Sequence, residues 1–189
     1  MSSLVGRRVL LESLLGFGAA ALLVRPAAAT TAVALTLPEL VGQSHRILLG
    51  TPESTSSRWE PIGGSRRIVS YTRVVVDEDL DGTGDGVCLV RTLGGVVGEQ
   101  GQIVHGEAQL RDGGHALVFL RRSASGALVV TGRAQGHYPL RTDSRGVVRL
   151  RPSPVLPQLV GEADGAVKRL VNRTLDEARS LVREATRRR

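Results

Sequence analysis

The sequence predicts a mainly β protein, a sandwich or small barrel, with a short N-terminal helix and an amphipathic C-terminal helix. Three observations carry this. Short β-branched stretches separated by turn residues recur at roughly ten-residue spacing, the signature of a sandwich or small barrel. Glycine is abundant, 23 of 189 residues, which suits tight turns better than a helical bundle. Aromatics make up 3% of the chain against 41% hydrophobic residues, so the core must be built from Val, Leu, Ile and Ala.

The chain opens on an address. Arg7 and Arg8 form a charged start, Leu14 to Val24 an apolar run, and Ala27–Ala29 or Ala32–Ala34 an A-x-A cleavage rule. The run is too short to span a bilayer comfortably. Arg7-Arg8-Val9-Leu10-Leu11 resembles a bacterial twin-arginine signal, with Glu12 where a lysine is usual. Residues 1–34 are therefore expected to be a signal peptide cut near Ala29 or Ala34. The mature protein is expected in the periplasm or outside the cell, with no stable membrane anchor.

Residues 35–151 are expected to form the barrel. Thr36 can cap a short helix with Pro38 and Glu39 in its first turn. "HRILLG" reads as a strand and "TPESTSSRWEPIGGS" as a polar loop. "RRIVSYTRVVVDEDL" is β-branched and partly alternating, with Thr72, Val74, Val76 and Leu80 on one parity. "GVCLVRTLGG" is a strand ending in a glycine pair, and "VVGEQGQIVHGEAQLRDGG" an ordered loop with a short strand. "HALVFLRRS", "GALVVTGRA", "GHYPLR" and "VVRLRP" read as strands, with turns at "SASG" and "TDSRG". Residues 152–173 are a Pro-rich link and the start of a helical tail. Residues 174–189 are a helix with a basic end: Thr174 and Glu177 make a capping box, and Leu175, Ala178, Leu181, Val182 and Ala185 share a face expected to pack on the barrel.

The stretches "LTLPELVGQSHRILLG", "VVVDEDLDG" and "RTLGGVVGEQGQIVHGEAQLRDGGHALVFLRRSASGALVVTGRAQGHYPL" resemble a group of uncharacterised exported bacterial proteins, over roughly Leu35 to Leu140. More distantly the strand order is similar to the OB-fold-like barrel of the netrin and metalloprotease-inhibitor modules. Those modules rely on disulfides and an N-terminal cysteine. This chain has a single cysteine, Cys88, so what the resemblance implies is the fold. Their inhibitory mechanism does not carry over.

Net charge is +7, but the ends hold most of it: Arg7, Arg8 and Arg25 against Glu12 at one, and Arg187 to Arg189 at the other. A nearly balanced body poor in aromatics is no nucleic-acid surface. One cysteine also excludes an intrachain disulfide and a Cys-rich zinc site.

The sharpest motif is "DEDLDGTGD". Asp77, Asp79, Asp81 and Asp85 fall at positions 1, 3, 5 and 9 of a calcium loop, with Gly82 at position 6. Cys88 occupies position 12, where a bidentate carboxylate is needed, and the flanks are strands. A hairpin turn is the stronger expectation, with Ca²⁺ at these four aspartates the alternative. His45, His105, His115 and His137 show no metal spacing and are expected on the surface or in loops, although His105 and His115 could meet Glu107. Ser44-His45 lacks a nucleophile-elbow context. Cys88 is expected to be a buried, inert thiol. "GGVVGEQG" lacks the G-K-[ST] of a phosphate loop, so its glycines are expected to serve positive φ. Arg121-Arg122 reads as a solvated strand end. The function expected is a non-enzymatic binding module with another exported protein as partner. A secreted protease inhibitor, an enzyme and a calcium-stabilised domain are the alternatives.

Overall fold

A computed structural model describes residues 31–81, 86–161 and 165–188. The strands are β1 (Thr31–Val33), β2 (Arg46–Ile62), β3 (Ser65–Asp79), β4 (Val87–Leu93), β5 (Gly95–Val97), β6 (Gln100–Gln102), β7 (Ala116–Arg122), β8 (Leu128–Val130), β9 (His137–Thr142), β10 (Val148–Leu150) and β11 (Gln158–Val160). The helices are α1 (Leu37–Gln43), α2 (Ala166–Leu170) and α3 (Leu175–Arg187), with a 3-10 turn at Arg133–Gly136.

Seven strands form one sheet in the order β10-β9-β7-β2-β3-β4-β8, and β8 also pairs with β7. That last pairing closes β7, β2, β3, β4 and β8 into a barrel-like ring, in line with the mainly β fold the sequence predicts. The β4–β8 pairing in it is parallel. Alternation along the strands then builds two cores. Leu48, Val74, Cys88, Val90, Val118, Leu120 and Val130 fill the inside of the ring. Ile47, Leu49, Leu117 and Phe119 face outward, against Leu37, Leu40 and Val41 of α1, Ala166 and Leu170 of α2, and Ala178 and Val182 of α3.

Both helix-capping signals hold to the capping residue. Thr36 and Thr174 each accept from the backbone N–H three residues on, and Glu39 and Glu177 reach back to the cap. Of the predicted stripe on α3, Ala178 and Val182 are buried and Leu175, Leu181 and Ala185 pack against the same core. Glu78 on β3 fastens α3 from the side, at 2.7 Å from Arg179 and 3.4 Å from Arg183.

Three readings are corrected. "TPESTSSRWEPIGGS" is not a loop: β2 runs through it to Ile62 and pairs with β3 along its length, making a two-stranded arm that turns at Gly63-Gly64. Leu80 does not share the face of Thr72, Val74 and Val76. Leu49 pairs with Glu78 but Gly50 with Val76, so Asp77 is an extra residue. This bulge flips the parity beyond it and sends Leu80 to the outer core. Finally, Thr31–Val33 is a strand of the folded body, parallel to β11, which the Pro-rich link concealed.

Candidate functional site

The "DEDLDGTGD" motif ends β3 and leads to β4, which runs antiparallel to it, as a hairpin requires. Asp85 and Gly82 lie outside the described residues. The three described aspartates each take a main partner of their own, and Asp79 Oδ1 also accepts from the Asp81 N–H at 3.3 Å. Asp77 Oδ2 lies 3.1 Å from His115 Nε2, at ion-pair distance but without the alignment of a hydrogen bond. Asp79 Oδ2 accepts from Arg46 Nε at 2.7 Å. Asp81 Oδ1 accepts from the Ile47 N–H at 2.8 Å. Burial pushes the Asp81 carboxyl up, helped by neighbouring Asp79 and opposed by the Ile47 N–H. Among the described residues no three His, Cys, Asp or Glu side chains converge as a metal ion needs.

The other sequence candidates are dispersed. His45 and His105 are exposed. Ser44 is buried and bonded to the Leu40 carbonyl and the Thr131 hydroxyl, so it closes the end of α1. Cys88 is buried, and that burial pushes its thiol up, away from the reactive thiolate. Arg121 and Arg122 are exposed at the end of β7. His137 departs from expectation: it is 4% exposed, with Nδ1 3.2 Å from Ser153 Oγ.

The arrangement with binding geometry lies elsewhere, in a cleft of about 480 Å³ between the arm and residues 94–110. One wall is the inner face of the arm. Thr55 pairs with Thr72 across the strands at 3.0 Å, and Ser57 with Ser70 at 2.8 Å. The opposite wall is a flap, the β5–β6 hairpin, which leaves β4 through Gly94 and Gly95 at φ 92° and 129°. A Cβ on Gly95 would sit 2.3 Å from Ser70 Oγ and 2.5 Å from Ser57 Oγ, so only glycine lets the flap lie on this hydroxyl pair. Ser70 also donates to the Gly94 carbonyl at 2.7 Å. Gln102 Oε1 accepts from the Ile68 N–H at 2.8 Å and pins the far strand of the flap. The glycine pair therefore has the conformational role its sequence suggests.

Four polar side chains in the cleft wall are more than nine-tenths buried: Ser70, Thr92 and Glu107, each 7% exposed, and Thr72, 2% exposed. The Thr92 hydroxyl bonds to no described residue. Glu107 is faced by the Leu93 N–H, and burial pushes its carboxyl up against the pull of that N–H, Arg133, Arg91 and Arg121. Arg133 Nε stands 3.8 Å from Oε2, beyond hydrogen-bond reach. Val96 and Ile103, 65% and 80% exposed, give the cleft an aliphatic lip.

Sequence reasoning named Glu107 only as a partner for histidines it does not join, and missed Thr55, Ser70, Thr72 and Thr92. A signal was present. Thr55 and Ser57, like Ser70 and Thr72, are spaced two apart, which on strands puts hydroxyls on one face. Pro52 and Pro61 made the first pair look like loop, yet both sit where β2 pairs with β3 alone, on an edge that tolerates proline. Comparison with protein-family models, with curated proteins and with solved structures finds no match to this chain.

Proposed function

We propose that this chain is an exported, non-enzymatic binding module and that the cleft between arm and flap holds its ligand. The observation that carries this reading is the cleft lining: hydroxyls, amides and aliphatic groups surround a single ionisable side chain, Glu107. Acid–base or nucleophilic catalysis needs a second positioned group beside the first. A concave, mostly apolar site with a few fixed polar groups is what recognition needs. The leader, with Arg7 and Arg8, supports export, and another exported protein is the partner class that follows.

The test is a titration of the purified full chain with peptide and small-molecule libraries, followed by amide shifts, together with a turnover screen. The reading expects saturable shifts at Thr92, Gly94, Gly95 and Glu107 with substrate left intact. Robust turnover of any library member, or saturable shifts confined to other surfaces, would overturn it.

A further inference from the structure

The chemistry of the cleft narrows its ligand, on the reading that the cleft is a binding site. We infer that it receives a primary ammonium carried on an aliphatic stem, with Glu107 as counter-charge and the Thr92 hydroxyl as a second acceptor.

The lining contains no Arg, Lys or His, so an anionic ligand would meet a carboxyl and nothing to neutralise it. It also contains no aromatic ring, which removes the stacking platform that a base uses. What remains is a buried carboxyl and a buried free hydroxyl, with the exposed aliphatic side chains of Val96 and Ile103 at the lip. An alkylammonium fits both layers. Its methylenes cover the aliphatic lip and its three N–H donors meet acceptors below.

The cations near Glu107 do not fill this role. Arg91, on β4, gives its guanidinium to Glu60 at 3.0 and 3.1 Å. Arg133, on the 3-10 turn, stands off at 3.8 Å with its side chain 60% exposed. Arg121, on β7, is exposed and reaches Glu107 only through space. A buried carboxyl whose nearest cation makes no hydrogen bond gains more from an incoming donor than an already paired one does. The ammonium can come from a lysine side chain of a partner protein or from a free amine.

The experiment uses calorimetry and amide shifts on the full chain at pH 7. The probes are acetyl-Ala-Lys-Ala-amide, 1,5-diaminopentane, and the matching norleucine peptide, which keeps the stem and lacks the charge. Either amine probe is expected to bind in the cleft while the norleucine peptide does not. Tighter binding of the lysine peptide identifies a protein partner; tighter binding of the diamine identifies a small amine. Glu107→Gln, which keeps the shape of the side chain, should weaken binding at least about tenfold, and Thr92→Val severalfold. Binding should also weaken as pH falls and Glu107 takes up a proton. Equal affinity for the norleucine peptide overturns the inference, as does undiminished affinity in both variants with the wild-type spectrum. Should the amines fail while another ligand class fills the cleft, the ammonium inference falls and the binding-module reading stands.

Discussion

At the scale of single residues, the side chain with the clearest consequence for stability is His137. It opens β9 opposite Val118, while the next residue, Tyr138, lies opposite Leu117. Tyr138 therefore faces the helices, and His137 faces the other way, closed over by the loop that carries Ser153. Both are buried, so this strand start is covered on two sides. A period-two pattern has no way to announce that, and "GHYPL" reads as an exposed histidine beside a buried tyrosine. Burial lowers the pKa of His137 from 6.5 to about 4. Between those values the unfolded chain binds the proton and the folded chain does not, so the stabilisation present above pH 6.5 is lost as pH falls towards 4. The full loss is of the order of 3 kcal/mol. Urea midpoints measured at pH 7 and pH 4.5 should fall steeply in the wild type and less steeply in His137→Gln. Equal pH slopes in the two proteins would count against this account.

At the scale of elements, the arm and the flap test whether glycine acts through conformation or through space. Gly64, at the turn of the arm, has φ 78° and open space where a Cβ would go. Gly64→Ala should cost only the left-handed backbone penalty, about 1 kcal/mol. Gly95 has both a positive φ and the two serine oxygens of the arm against it. Gly95→Ala should cost at least about 2 kcal/mol and lift the flap from the arm. Thermal melts give the first quantity, and hydrogen exchange at Ile68, whose N–H is held by Gln102 of the flap, gives the second. A Gly95→Ala melt no lower than that of Gly64→Ala would mean that the flap does not lie on the serines. These elements also show what was legible. Capping boxes are local, four residues long, so Thr36 and Thr174 mark their helices correctly. The glycine pair after β4 is likewise local. The arm, the bulge at Asp77 and the cleft depend on which strand lies beside which, and no single stretch of sequence carries that.

At the scale of the whole molecule, β1 bears on where the proposed signal peptide is cut. Two cleavage points satisfy the sequence rule, after Ala29 and after Ala34, and the folded body treats them differently. β1 pairs in parallel with β11. The Ala34 N–H donates to the Val160 carbonyl at 3.0 Å. Gln135, 5% exposed, holds the same segment from the other side: its Oε1 accepts from the Leu35 N–H and its Nε2 donates to the Val33 carbonyl, both at 2.9 Å. A cut after Ala34 would remove β1 and leave Gln135 with a buried amide missing one partner, at a cost of about 1–3 kcal/mol. A cut after Ala29 leaves every one of these bonds in place. The twin-arginine reading fits this, because that route carries a chain already folded, with β1 paired to β11 before export. The mature protein is therefore expected to begin at Thr30. Arg7→Lys with Arg8→Lys should leave the precursor in the cytoplasm, folded and uncut. Intact mass spectrometry of the exported protein decides between the two sites, and a mature chain beginning at Leu35 would show that β1 is dispensable to the fold.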